Sequence, residues 1–234
     1  MSQITIINQT EEETVRVAVF QKPIIRPRLP TIAWQIAAPP PGGKSVIPIA
    51  ADYTIFARYS MDPNRPDAIQ NTTNTISFTE TTARFDIESH ESQDRRAHGA
   101  VVEQKFNGLV LNEVRVTNNF GMGVWGHIQK DGTDVFAPQV IWPGAVLMED
   151  LRSKLYLAVV NGLTWLGDNL VPEEISLTET PILEDQVATV TGSMWKGYSI
   201  AVSGLDSSVP APLIPAPAPE EVEPTGSDPA DPKN

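Results

Sequence analysis

Short β-type runs, each closed by proline, glycine, asparagine or aspartate, follow one another along most of the chain. In Val15–Phe20 the apolar residues occupy alternate positions, a period of two that indicates a half-buried strand. The segment Pro39-Pro40-Pro41-Gly42-Gly43 fits neither a helix nor a central strand. No convincing helical pattern and no period typical of a propeller or solenoid is present. The pattern favours a sandwich or barrel, and we predict an all-β, antiparallel two-sheet β-sandwich of jelly-roll type.

Turn residues suggest which strands are neighbours. The polar residues 8–14 form a hairpin-type connection from Ile4–Ile7 to Val15–Phe20. Ser45–Ile49 and Tyr53–Tyr59 are interpreted as the next strand pair. Further strands are predicted at Ile32–Ala37, Thr75–Phe78, Arg84–Glu88, Val101–Phe106, Leu109–Thr117, Ala145–Met148, Ile175–Leu177, Val187–Thr191 and Tyr198–Val202.

Two local signals are stronger than the rest. Asp131-Gly132 lies between Met122–Gln129 and Thr133–Phe136, and this dipeptide favours a hairpin because both residues tolerate positive φ. The run Leu155–Val160 ends at Asn161-Gly162 and is interpreted as a buried strand rather than a short helix.

Composition divides the chain at about residue 206. We predict one β-sandwich domain over residues 1–205 and a disordered, acidic, proline-rich tail over residues 206–234. The chain has no cysteine, which excludes disulfides and thiolate chemistry. Its formal net charge of −12 disfavours both nucleic acids and anionic membranes as partners. It shows no signal-peptide pattern, so we expect a cytoplasmic protein or one exported without a cleavable signal.

Histidine side chains can serve as acid–base or metal-binding groups, and the chain has three. His90 and His98 fall in a polar stretch that is interpreted as a charged surface loop, with a metal site or an acid–base pair as the alternative. His127 shares a strand face with Trp125, which is typical of a packing or hydrogen-bonding role. No Gly-x-Ser-x-Gly motif and no phosphate loop occurs, so we predict no catalytic residue, no metal and no cofactor.

The five tryptophans are the candidate interface or ligand residues: Trp34, Trp125, Trp142, Trp165 and Trp195. Each lies near proline or glycine. Aromatic side chains at strand ends beside turns can stack on sugars or form interface hot spots. The alternative is that they close the ends of a β-sandwich core.

Three segments carry a family resemblance: Ile4-Thr5-Ile6-Ile7-Asn8-Gln9, Val17-Ala18-Val19-Phe20-Gln21-Lys22-Pro23 and Ile32-Ala33-Trp34. Together they resemble the start of the bacterial rhizosphere-induced RhiA-like family, and Gly121-Met122-Gly123, Leu155–Val160 and Tyr198-Ser199-Ile200 follow in comparable order. The resemblance implies a small bacterial protein made under cell-density or host-associated control, with no established reaction.

We therefore expect a non-enzymatic protein that acts by self-assembly or partner binding, with a homo-oligomer, a protein or a glycan as partner. Pairing of edge strands between subunits would protect them, which gives oligomerisation a physical motive. The alternatives are a carbohydrate- or membrane-binding module that uses exposed tryptophans and, less favoured, a hydrolase that uses loop carboxylates.

Overall fold

The computed structural model describes residues 2–11, 15–62, 64–65, 68, 71–79, 81–91, 98–152, 154–171 and 179–204. Within these ranges the chain is all-β and contains no helix, which confirms the all-β part of the predicted fold class. It follows that no described segment forms a helix long and apolar enough to cross a membrane. The predicted tail 206–234 and the predicted strand Ile175–Leu177 lie outside the described residues.

Eighteen strands occur in the described part of the chain. In order they are β1 (Ser2–Asn8), β2 (Arg16–Gln21), β3 (Gln35–Ala37), β4 (Lys44–Ile49), β5 (Tyr53–Tyr59), β6 (Asn71–Thr72), β7 (Ile76–Phe78), β8 (Ala83–Glu91), β9 (His98–Lys105), β10 (Val114–Asn118), β11 (Val124–Lys130), β12 (Thr133–Asp134), β13 (Gln139–Ile141), β14 (Val146–Glu149), β15 (Leu155–Val160), β16 (Thr180–Ile182), β17 (Gln186–Ser193) and β18 (Gly197–Gly204).

These strands form four sheets, which fall into two groups by their position in the chain. The first and last strands of the chain make the outer half, whose sheets have the orders β18-β17-β1-β4 and β16-β15-β2-β3. Strands β5 to β14 make the inner half. Its sheets have the orders β14-β10-β8-β9 and β12-β11-β5-β6, with β13 also paired to β11 and β7 to β5. One large cluster of buried side chains contains residues from all four sheets, so the halves share a core.

The two halves have the same strand arrangement. Strands β1, β2, β3 and β4 take the places that β10, β11, β13 and β14 take in the inner half, and β15 to β18 take those of β5, β7, β8 and β9. Residues 2–105 and 114–204 therefore repeat one succession of strands, and each half combines strands from both repeats. The sequence showed no such repeat, because the equivalence lies in strand pairing rather than in residue identity.

The expectation of purely antiparallel sheets is wrong at two places. β1 runs parallel to β17, and β10 runs parallel to β8. The predicted pairs β1–β2 and β4–β5 are wrong as well, since β1 pairs with β17 and β4, whereas β2 pairs with β15 and β3, and β5 with β11. The polar connections at these places carry the chain from one sheet to another, so that apolar faces can cover each other.

The two strongest local signals are confirmed. Asp131 and Gly132 have φ values of 53° and 76° and join β11 to β12, with Lys130 opposite Thr133. Strand β15 covers the predicted run Leu155–Val160.

β2 is buried on both faces rather than on one. Val17 and Val19 lie in the shared core, and Ala18 and Phe20 lie in a second buried cluster on the opposite face. Ile36 and Leu170 pack against that second cluster. The alternating pattern underestimates the burial because it cannot show the segments that cover the other face.

Candidate functional site

The structure divides the five candidate tryptophans into three exposed and two buried or half-buried side chains. Trp142, Trp165 and Trp195 are 56%, 64% and 92% exposed. Trp34 is fully buried, and Trp125 is half-buried with an indole nitrogen that is buried and has no hydrogen-bond acceptor among the described residues. The prediction that Trp34 forms part of an exposed ligand or interface set is therefore wrong.

Trp34 instead holds the two halves together. Its indole N–H donates to the carbonyl oxygen of Lys130 in the inner half at 2.8 Å. The Lys130 ammonium lies 5.9 Å from the Trp34 ring centroid and 4.7 Å from that of Tyr53. A side chain that is both the largest fully buried group and a hydrogen-bond donor across this boundary has a structural role.

One candidate contact surface is the loop of residues 161–168, which we call the Trp165 loop. Leu163, Trp165 and Leu166 in it are 81%, 64% and 53% exposed. The loop is nevertheless ordered by its own side chains, since Asn161 Oδ1 accepts from the Leu163 N–H at 2.8 Å and Asp168 Oδ2 accepts from the Trp165 N–H at 2.8 Å. Polar residues thus fix a backbone that holds large apolar side chains in solvent.

Contacts with Ala33 and Arg16 also fix the conformation of the Trp165 loop. The Gly167 N–H donates to the carbonyl oxygen of Ala33, and the Ala33 N–H donates to that of Asp168. Arg16 lies under the loop, with Nη2 donating to the Thr164 carbonyl oxygen at 2.7 Å and its guanidinium carbon 5.0 Å from the Trp165 ring centroid. The loop conformation is therefore set before any partner arrives.

A second apolar tip is formed by the turn between β17 and β18, residues 193–197. Met194 and Trp195 in it are 71% and 92% exposed. Gly192 lies in β17 just before this turn and has a φ of +98°. A Cβ atom there would lie 2.2 Å from the carbonyl oxygen of Gly197. Only glycine fits such a position, so the close turn that presents Trp195 depends on it.

Both loops leave the outer half at the same end, because Asn8 at the end of β1 donates to the carbonyl oxygen of Pro39, two residues after Ala37, which pairs with Val17 at the start of β2. β2 pairs with β15 so that Arg16 lies opposite Val160, where the Trp165 loop begins. β1 runs parallel to β17, so Asn8 lies beside Val190, just before the turn at 193–197. We call the five exposed side chains at this end the apolar end: Leu163, Trp165, Leu166, Met194 and Trp195.

Of the three histidines, His127 has a structural role. The His127 ring stacks on Phe56 with centroids 4.7 Å apart, and its Nδ1 lies 3.0 Å from Asp134 Oδ2, which confirms a packing and hydrogen-bonding role. His90 lies in β8 and His98 in β9, so the prediction of a loop is wrong at these two ends, and residues 92–97 between them lie outside the described part of the chain. The hairpin extends beyond the core, where a strand needs no apolar residues. Among the described residues, no three histidine, aspartate or glutamate side chains are grouped to hold a metal ion.

Glu149 is a buried carboxylate that caps backbone. It is 2% exposed, and its Oε1 accepts from the N–H groups of Ile24 and Ile25, each at 2.8 Å. These bonds tie the segment after β2, in the outer half, to the end of β14 in the inner half. The Glu149 Oε1 atom thus positions the junction of the halves, whereas Oε2 is buried and has no hydrogen-bond donor among the described residues.

Lys130 gives the junction a pH dependence. Burial lowers the pKa of its ammonium from the usual value, although Glu184 and Asp131 act in the opposite direction. Since the unfolded chain then binds more protons than the folded one, the free energy of unfolding rises as pH increases from this lowered pKa toward about 10.5. In Lys130→Met this contribution is absent. Denaturant titrations from pH 7 to about pH 10 should show the wild type gaining stability relative to the variant.

Tyr53 does not obscure that comparison. Burial shifts the pKa of the Tyr53 hydroxyl as well, but upward. This upward shift lowers the free energy of unfolding only above about pH 10, and Tyr53 is present in both the wild type and Lys130→Met. A stability difference that stays constant or shrinks with rising pH would contradict the proposed desolvation of Lys130.

Comparisons with known proteins assign no family to the chain. No protein-family model matches the chain. No curated protein and no solved structure matches it either.

Proposed function

We propose that the protein is a non-enzymatic binding protein that self-associates, with the apolar ends of two copies in contact. The observation that carries this proposal is the Trp165 loop, in which hydrogen bonds hold Leu163, Trp165 and Leu166 in solvent. Contact between identical surfaces gives a two-fold dimer, the commonest form of oligomer.

The energetics support this arrangement. Burying one large apolar side chain contributes roughly 1.5–3 kcal/mol, and each copy offers five at this end. Association is opposed by the loss of translational and rotational freedom and by the ordering of loops. Because the Trp165 loop is already fixed by Asn161, Asp168 and Arg16, the ordering cost is small.

The charge distribution supports it too. The chain carries a net charge of −12, so most contacts between two copies would be repulsive. The two loops of the apolar end carry one acid, Asp168, and one base, Lys196, with Arg16 directly under the first loop. Two such ends can meet without bringing an excess of negative charge together.

The finer fold is part of the same proposal. We propose that each half is a small two-layer sandwich of jelly-roll type, in which the sheet containing β1 or β10 packs on the sheet containing β2 or β11. The shared buried cluster, which draws on all four sheets, supports this layering. A relationship to the RhiA-like family remains a prediction, as does a cytoplasmic location.

Replacing Leu163 by serine should convert the dimer into a monomer at concentrations where the wild type is dimeric. The substitution removes an apolar side chain that is 81% exposed, so the folded monomer should lose little stability. Leu111→Ser is the matched control, because Leu111 is also 81% exposed but lies between β9 and β10 in the inner half. Size-exclusion chromatography with light scattering on the full chain measures the molar mass of all three proteins.

A wild type that remains monomeric at high concentration would overturn self-association. A dimer that survives Leu163→Ser and dissociates in Leu111→Ser would move the contact to the inner half. Binding of a monomeric wild type to neutral phosphatidylcholine vesicles would instead assign the apolar end to a lipid surface.

A further inference from the structure

Trp142 helps to form a small cup at the end of the inner half. The cup has a volume of about 120 Å³ and is lined by Ser60, Asp62, Gly121, Met122, Gly123, Trp142 and Pro143. Trp142 is 56% exposed, and a Cβ atom on Gly123 would lie 3.0 Å from its ring. Glycine therefore lets the indole approach the backbone closely, and the same side chain lines the cup.

The fold does not require a tryptophan at this position. Residues 142–145 form a turn in which the Ala145 N–H donates to the Trp142 carbonyl oxygen, and residues 40–43 form the equivalent turn of the outer half. In that turn the Gly43 N–H donates to the carbonyl oxygen of Pro40. Since proline serves at the equivalent position, the exposed indole of Trp142 needs another explanation than turn formation.

The walls of the cup are held rigidly. Asn118 is fully buried, and its Nδ2 donates to the carbonyl oxygens of Met122 at 2.8 Å and Ile141 at 2.7 Å. The Ser60 hydroxyl oxygen accepts from the Asp62 N–H at 3.0 Å and so fixes the acidic side of the cup. A ligand would meet preorganised walls, which lowers the cost of binding.

We propose that this cup binds one ring of a neutral saccharide. The apolar C–H face of a pyranose matches the indole surface, and the Asp62 carboxylate accepts hydrogen bonds from hydroxyl groups on the ring edge. The described lining contains no basic side chain, which disfavours phosphorylated or acidic ligands. This site lies in the inner half and is independent of self-association through the apolar end.

The test is isothermal titration of the full-length protein with methyl α-glucoside, methyl α-mannoside, methyl β-galactoside and N-acetylglucosamine. At least one should bind with a Kd of about 1 mM, typical of a single shallow contact. Gly121→Leu should abolish that binding, because the space next to Gly121 is open and a leucine would fill the cup. Trp142→Ala should weaken it by about tenfold or more.

Phe106→Ala is the matched control, since Phe106 is an aromatic side chain that is 81% exposed and lies outside both the cup lining and the apolar end, so the Kd should stay unchanged. Thermal melting checks that every variant is folded. The proposal is overturned if none of the four saccharides binds, if binding persists in folded Gly121→Leu, or if choline binds and the saccharides do not. The last result would assign the cup to a cation held by the indole face and Asp62.

Discussion

Replacing Trp34 by alanine is expected to lower the free energy of unfolding by about 3–5 kcal/mol, the cost of emptying the space of a buried aromatic ring. Trp34 is fully buried, and its indole N–H donates to the Lys130 carbonyl oxygen across the junction of the two halves. The change therefore leaves a cavity and also an unpaired buried carbonyl. Denaturant unfolding, followed by circular dichroism, measures the loss.

Trp34→Phe separates the two contributions. Phenylalanine keeps most of the ring volume and removes only the hydrogen bond, so the loss should fall to about 1–3 kcal/mol. If Trp34→Ala costs less than about 1 kcal/mol, Trp34 does not join the two halves. The assignment of a structural role to Trp34, in place of the predicted contact role, would then need to be reconsidered.

Asn118→Ala is expected to lower the free energy of unfolding by about 2–4 kcal/mol, because it removes several bonds to buried backbone at once. Asn118 donates to the carbonyl oxygens of Met122 and Ile141, and its Oδ1 accepts from the Phe120 N–H at 2.9 Å. Alanine would leave these backbone groups without their partner. Chemical denaturation of the wild type and the variant measures the difference.

Asn8→Ala should lower the free energy of unfolding by a similar amount, because Asn8 occupies the equivalent position at the end of β1. Its Nδ2 donates to the Pro39 carbonyl oxygen at 3.0 Å, and its Oδ1 accepts from the Thr10 N–H at 2.9 Å. Asn119→Ala is the control, since Asn119 is exposed and should change stability by no more than about 0.5 kcal/mol. A large loss in only one of Asn8→Ala and Asn118→Ala would show that the two halves do not depend equally on this arrangement.

Local chemistry in the sequence predicted strands better than strand pairing. The Asp131-Gly132 turn and the strand Leu155–Val160 follow from short-range preferences, and both are present. The pairing of β1 with β17 joins residues at opposite ends of the chain, so no local signal can reveal it. The repeated strand order of the two halves could not be predicted for the same reason. The one local trace of the repeat is that Asn8 and Asn118 each end an apolar strand.

The candidate site was predicted in part. The tryptophans near proline and glycine included Trp165 and Trp195, which do lie at the apolar end. Leu163, Leu166 and Met194 were missed, because an exposed leucine cannot be told from a buried one by residue type. A usable signal was the apolar stretch 163–166 between Asn161-Gly162 and Gly167-Asp168, where turn residues on both sides leave no room for a strand.

Self-association through the apolar end can be tested most directly by disulfide cross-linking, because the chain has no native cysteine. In the proposed dimer Leu163, the most exposed large apolar side chain of the Trp165 loop, lies at the two-fold axis, where the two copies of one residue meet. Leu163→Cys in the full-length protein, under mild oxidation, should therefore yield a covalent dimer in high proportion. Leu111→Cys, equally exposed, should remain mostly monomeric under the same conditions. Equal yields from the two variants, or a higher yield from Leu111→Cys, would contradict the account.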